Sequence, residues 1–304
     1  RSADCRRHFR EQPWTPPQEQ ASEGNWAQQL FQTTADAFLR IVRKQGWTDL
    51  EEVANAIISL REQQKQLEPS YLQQENGVRQ AAALELVAFY HFAKAVEVLG
   101  LYVGTGEPAS AIDEVEFHFS RATRAADTAG IIELALLLRW LSAASRMLIR
   151  STIWHQLAAY NDKMTLFKKA LASRTNTQPM FDLLPPQRDA IQDLMSVGNR
   201  ALVVEMPTSS GKTLLAEFRI IQTKVNIANS WIAYLVPTRA LVNQLTARLR
   251  RDLGPLDIKV ELASPAVEVD VFEDELLLGT DTFDVLVTTP EKLDLLVRSK
   301  RIDL

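Results

Sequence analysis

Two rhythms of apolar residues divide the chain. From about residue 25 to 172, apolar positions recur at helical spacing. Leu84, Val87, Ala88, Phe92 and Ala95 mark one face of a helix, and Ile112, Val115, Phe119, Ala122 and Ala126 mark another. Gly100, Gly104, Gly106 and Pro108 lie between them and predict a helix break. Thr48-Asp49-Leu50-Glu51 has the form of a capping box, with Thr48 at N-cap and Glu51 at N3. His91-Phe92-Ala93-Lys94-Ala95 and His118-Phe119-Ser120-Arg121-Ala122 match as His-Phe-x-basic-Ala. Two copies suit either stacked helical hairpins or a plain bundle. The two histidines read as packing residues. This stretch predicts an all-helical domain, with acidic and basic residues close to balance.

Past about residue 180 the rhythm changes. Ala201–Glu205, Trp231–Val236, Ile258–Leu262 and Asp284–Thr288 are short, apolar and rich in Val, Ile or Leu. Helical stretches at Leu214–Ala228 and Ala240–Leu253 separate the first three. Strands buried on both faces and joined through helices imply a parallel sheet, so the predicted fold class is α followed by α/β. Residues 173–180 read as a linker. Residues 1–24 read as a flexible arm, where Arg6, Arg7 and Arg10 precede Pro13, Pro16 and Pro17. Cys5 and His8 in that arm have no second ligand pair.

Composition narrows the classes. The 304 residues suggest about two domains. A hydrophobic share of 46% with 24% charged residues excludes general disorder. A single cysteine excludes an internal disulfide. A net charge of −4 gives no overall basic footprint, so any nucleic-acid contact must be local. No run reaches the roughly 18 apolar residues of a membrane helix. The greasiest stretch, Ile131–Ile149, carries Glu133, Arg139 and Arg146 and predicts a buried core helix. With no signal-peptide pattern, the expectation is a cytoplasmic protein without membrane contact.

The chemistry concentrates after the first expected strand. Met206-Pro207-Thr208-Ser209-Ser210-Gly211-Lys212-Thr213 follows that strand and opens a helix. Backbone N–H groups of such a loop, with the helix N-terminus, attract phosphate. Gly211 allows close backbone approach. Lys212 can reach the β- and γ-phosphates, and the Thr213 hydroxyl can ligate Mg²⁺. The strict G-x-x-x-x-G-K-[ST] pattern is not met, because Met206 stands at the first glycine.

Pro207-Thr208-Ser209-Ser210-Gly211-Lys212-Thr213 resembles motif I of superfamily-2 helicases, with Ser209 where glycine is common. Leu184-Pro185-Pro186-Gln187 resembles the family's Q-motif, which implies that the Gln187 amide reads an adenine edge. Val236-Pro237-Thr238-Arg239-Ala240-Leu241 looks like motif Ia. Thr288-Thr289-Pro290-Glu291-Lys292-Leu293-Asp294 looks like motif Ib and resembles the Ski-like DExH branch more than the classical DEAD-box branch. The resemblance covers about residues 181–304. It implies a first RecA-like domain that uses ATP and Mg²⁺. It also implies that Pro237, Thr238, Arg239, Thr289, Pro290 and Lys292 grip the backbone of single-stranded DNA or RNA. Strand-end hydroxyls, backbone N–H groups and helix N-termini bind phosphates without reading sequence. Arg248, Arg250 and Arg251 read as a solvated face. The acidic stretch Glu268–Glu275 departs from the family and reads as an insertion pointing away from the strand.

In the resembled family the DExH motif and a second RecA-like domain come later than the last residue here. The expectation is therefore an incomplete RecA-like sheet, truncated before the DExH motif, that turns ATP over poorly alone. The helical domain would then contact a protein partner or the substrate. Other classes remain open: a nucleotide-switched scaffold, or a translocase subunit of a nuclease or antiviral-defence complex.

Overall fold

The computed structural model describes residues 26–43, 76–158, 161–173, 180–195, 201–207, 210–227, 230–263 and 283–300, with a few isolated positions. The expected arm, the Thr48–Glu51 capping box, most of the 173–180 linker and the acidic 268–275 stretch lie outside the described residues. The chain divides into two compact units.

The first unit is helical. Its main elements are α1 (Trp26–Arg43), α2 (Asn76–Thr105), α3 (Ala111–Thr128) and α4 (Ile132–Ser151). Helix α2 packs against α1 and α3, and α3 against α4. Because α2 is covered on two sides, its apolar band is wider than one face. Ala88, Phe89, Phe92, Ala95, Val96 and Leu99 are buried, whereas Val87 points outward. Phe31 of α1 packs on Phe89 and Phe92, with ring centroids 5.7 and 6.0 Å apart.

The expected helix break is narrower than the glycine cluster suggests. Helix α2 runs through Gly100 and Gly104 to Thr105. At Gly100 a Cβ would meet Ile41 Cδ1 at 3.3 Å, so glycine serves close helix packing there. The chain turns at Gly106, which has φ +80° and lies against Trp154, whose ring a Cβ would meet at 2.7 Å. The Trp154 indole N–H donates to the Val103 carbonyl at 3.0 Å and ties this turn to the end of the unit.

The duplicated His-Phe motif has a structural meaning. Helices α2 and α3 form an antiparallel hairpin, and equivalent residues meet at its centre. His91 Nδ1 and His118 Nδ1 are 2.9 Å apart, and the Phe92 and Phe119 rings are 6.0 Å apart. The repeat is thus a local two-fold within one hairpin.

By length and composition, Arg79–Thr105 is long and apolar enough to cross a membrane, with a hydropathy of 1.4. Slightly over half of the tested window, 56%, is buried inside the protein. The 131–149 stretch, expected as a buried core helix, instead leaves Ile132, Leu136, Trp140 and Met147 of α4 exposed.

The second unit gathers Gln156–Ser173 with everything from Leu183 onward. Helix α5 (Asp162–Ala172), which the sequence boundary groups with the helical domain, falls in this unit. Asn161 caps it, accepting from the Met164 N–H at 2.9 Å. Its buried Phe167 packs edge-on against Phe218, with ring centroids 5.8 Å apart. Phe218 belongs to α7 (Lys212–Asn226), which follows α6 (Pro185–Met195).

Strands β1 (Ile232–Leu235), β2 (Val260–Leu262) and β3 (Val285–Thr288) form a parallel sheet in the order β1-β3-β2. Ile232 and Val260 both pair with Val285. All four residues of the central β3 are buried. Helix α8 (Arg239–Leu253) connects β1 towards β2, and α9 (Pro290–Arg298) follows β3. Ala263, Phe283, Leu286, Leu296 and Ile302 form a core cluster against which Trp231 packs.

Asp284 anchors the start of β3. It pairs with Lys224 of α7 at 2.7 Å and accepts from the Lys259 N–H at 2.8 Å. Burial pushes its carboxyl up, but those hydrogen bonds and the charges of Lys224 and Lys163 win and hold it below the usual range.

One expected strand is absent. Ala201–Glu205 has no strand pairing among the described residues, and Leu202 and Val203 are exposed. An extended segment needs a neighbour to satisfy its N–H and C=O groups. No described strand lies beside it.

Candidate nucleotide and nucleic-acid site

The loop ahead of α7 has the backbone that a phosphate cradle needs. Gly211 sits at the helix N-cap with φ +80°. A side chain there is strained, and a Cβ would lie 2.3 Å from Gln187 Nε2. Ser210 is buried, and its hydroxyl donates to the Pro207 carbonyl at 2.6 Å, closing the loop on itself. Lys212 is exposed, with Nζ 3.3 Å from the same carbonyl. Thr213 is half-buried in the first turn of α7. First-turn N–H groups have no acceptor within their own helix, which leaves them to a loop partner or an anion. Met206 is buried, so the residue at the missing glycine position serves the core. Thr208 and Ser209 lie outside the described residues.

Gln187 is where the sequence led least directly to the geometry. It lies in the first turn of α6 and is buried. Its Oε1 accepts from the Leu184 N–H at 2.8 Å, and its Nε2 donates to the Gly211 carbonyl at 3.4 Å. The amide therefore bridges the α6 entry and the phosphate loop. Arg219 reinforces the pairing of α6 and α7 by donating to the Leu194 carbonyl at 3.1 Å.

The segments after β1 and β3 lie side by side. Leu235 is in register with Thr288, and the Val236 N–H donates to the Thr288 carbonyl at 2.9 Å. Pro237-Thr238-Arg239 and Thr289-Pro290 thus leave adjacent parallel strands at the same carboxyl edge, where α/β sheets take their ligands. Pro237, Thr238 and Arg239 are exposed, and α8 starts at Arg239 with Thr238 as its N-cap residue. Thr289 is the N-cap of α9, and its hydroxyl accepts from the Lys292 N–H at 3.4 Å. Pro290 is exposed, whereas Lys292 is 4% exposed and so is held inside the fold in this structure.

The α8 arginines are exposed or half-exposed, as expected of a solvated face, and each is also ion-paired. Arg248 pairs with Glu217 at 2.9 Å and lies 3.6 Å from Asp252. Arg251 pairs with Asp252 at 2.9 Å. Arg250 donates to the Val260 carbonyl at 2.7 Å and pairs with Glu261. These contacts pin α8 to α7 and β2. The signal was present in the sequence: Glu217 interrupts the apolar face made by Leu214, Phe218 and Ile221, and a buried carboxylate requires a cation.

A parallel sheet with a Gly-Lys-Thr loop at a helix N-terminus and adjacent strand ends has the form of a partial RecA-like α/β fold. Residues 184–304 match the DEAD/DEAH box helicase family. The chain is 34% identical over 117 residues to the ATP-dependent DNA helicase Hel308 of Pyrococcus horikoshii, covering 38% of this chain and 15% of that protein. It is 30% identical over 128 residues to the probable ATP-dependent DNA helicase HFM1 of mouse, covering 40% and 8%. It is 26% identical over 134 residues to the Hachiman protein HamB of Bacillus cereus, covering 44% and 12%. The match thus spans less than a sixth of each relative's length.

Proposed function

We propose that the second unit is the first nucleotide-binding domain of an ATP-dependent nucleic-acid helicase or translocase. The observation that carries this reading is that the Thr238–Arg239 and Thr289–Pro290 segments leave adjacent paired strands at one sheet edge, in residues that match the helicase family.

In this reading the loop from Met206 to Thr213 holds ATP. The N–H groups at the start of α7 face the phosphates, and Lys212 leaves the Pro207 carbonyl to meet the terminal phosphates. The Thr213 hydroxyl would help hold a Mg²⁺ ion, which would supply neutralising charge to the phosphates. Gln187 orders the loop through Gly211, and its amide would turn from Leu184 and Gly211 to meet the base. Thr238, Arg239 and Thr289 hold the sugar-phosphate backbone of one strand. A second domain in the whole protein would complete the hydrolytic site.

The helical unit is proposed to serve a protein partner. Trp140 and Met147 of α4 are 77% and 73% exposed, with Ile132 and Leu136 on the same helix face. The test of the main reading is titration of the protein with a fluorescent ATP analogue and, separately, with labelled single strands. Saturable binding of both, with Lys212→Ala weakening only the first, is the expected result. A Lys212→Ala variant that binds the analogue as the parent does would refute the role of the loop.

A further inference from the structure

The Glu217–Arg248–Asp252 cluster has no part in the binding roles above, yet it joins the two helices that carry them. Glu217 is fully buried, and the Asp252 side chain is 2% exposed. Arg248 lies between them, with Nε 2.9 Å from Glu217 Oε1 and 3.6 Å from Asp252 Oδ2. Arg251 holds the other oxygen of Asp252 at 2.9 Å. Tyr234 of β1 lies in the same surroundings. Burial and then the Glu217 charge push its phenol up, and Arg248 opposes them.

Burying the Glu217 carboxylate consumes much of what its attraction to the half-exposed Arg248 returns, so the pair is a poor stabiliser. Well-packed apolar replacements are often neutral or better. What such a pair does well is define geometry, because a charged hydrogen bond is short and directional. Here it defines the register of α7 against α8. Helix α7 begins at the phosphate loop, about 8 Å from Glu217 at 1.5 Å per residue, and α8 begins at Thr238–Arg239, about 14 Å from Arg248. Arg250 fixes the far end of α8 to β2 through the Val260 carbonyl and Glu261.

We infer that Glu217, Arg248 and Asp252 are positioning residues that transmit nucleotide occupancy at the Gly211–Thr213 loop to the strand-gripping Thr238–Arg239 end of α8. This rests on the nucleotide and strand reading above. Charge arriving on the loop shifts α7, and the pair passes that shift to α8. By reciprocity, a strand held at Thr238 and Arg239 tightens the phosphate loop by the same factor.

The test uses the full-length protein, a methylanthraniloyl-ATP probe with Mg²⁺, and single-stranded dT20 and U20 oligonucleotides. In the parent, saturating oligonucleotide should tighten probe affinity by about fivefold or more. Arg248→Gln and Glu217→Gln should bind each ligand alone within about twofold of the parent and lose the coupling. The Glu217→Met/Arg248→Met pair keeps the volume without the charges. It should melt no lower than the parent and also be uncoupled. Persistent coupling in the folded Met pair overturns the inference. So does loss of coupling only alongside loss of both separate affinities, the mark of a merely structural role. A parent that binds both ligands without coupling refutes this inference alone, whereas one that binds neither refutes the underlying reading as well.

Discussion

Gly211→Ala probes the loop at its most constrained point. Gly211 has φ +80°, a region that costs a non-glycine residue about 1–2 kcal/mol. The new methyl would also lie 2.3 Å from Gln187 Nε2, so the amide must move. Moving it breaks the contact to the Gly211 carbonyl and the 2.8 Å bond from the Leu184 N–H, at a residue only 3% exposed. Leaving such buried groups unsatisfied costs about 1–3 kcal/mol. The sum, about 2–5 kcal/mol, opposes the phosphate-binding conformation. Nucleotide affinity should fall by about 30-fold or more, since 1.4 kcal/mol is tenfold. The assay is a fluorescent ATP-analogue titration on Gly211→Ala, Gln187→Ala and the double variant, each with a thermal melt. In the double variant the clash is gone and the φ cost remains, so the two changes should be less than additive. Affinity of Gly211→Ala within twofold of the parent would show that the loop does not bind in this conformation. Strict additivity would show that Gln187 does not restrain it.

Four further outcomes follow from the same geometry. Lys212→Ala removes a charged donor and should weaken nucleotide binding by about 10- to 100-fold while leaving the melting temperature unchanged; a titration beside a melt checks both. Arg239→Ala should weaken single-strand binding and lower the slope of log affinity against log salt by about 0.7, with nucleotide affinity unchanged. Phe92→Ala should destabilise the helical unit by about 3–5 kcal/mol, because Phe92 is fully buried against Phe31 and Phe119, as denaturant melts would show.

The fourth concerns pH. Burial and then the His118 and Arg121 charges hold His91 below the ordinary value; burial and then Lys94 do the same to His118, against Glu114 and Glu97. The folded hairpin therefore disfavours the charged forms. Its stability is full above about pH 6.5 and is lost as pH falls through the lowered values. Melts at pH 8, 6.5 and 5 should show this loss in the parent and not in His91→Gln/His118→Gln.

What was legible in the sequence followed from short-range chemistry. The rhythms at Val115, Phe119 and Ala126, and the apolar runs before Pro237 and Thr289, identify a helical part and a parallel sheet because burial acts directly on those positions. The loop around Gly211 was readable because few residue types tolerate its backbone. Long-range partners were not. Gly100 looked like a helix breaker, because nothing local reveals Ile41 above it. The arginines at 248, 250 and 251 read only as solvated, because Glu217 lies 31 residues from Arg248 and Glu261 lies 11 from Arg250, across a helix-strand contact; only Asp252 is a local partner. Lys292 looked available, and its burial depends on how α9 packs on the sheet. The 201–205 run read as a strand by composition, but pairing needs a neighbour, which composition cannot supply.

The most direct test of the central claim is strand-dependent ATP hydrolysis by the full-length protein in Mg²⁺, measured as phosphate release with and without single-stranded DNA or RNA. The account predicts turnover that rises with the strand, vanishes in Lys212→Ala, and needs more strand for half-stimulation in Arg239→Ala. Turnover indifferent to both the strand and Lys212 would contradict it.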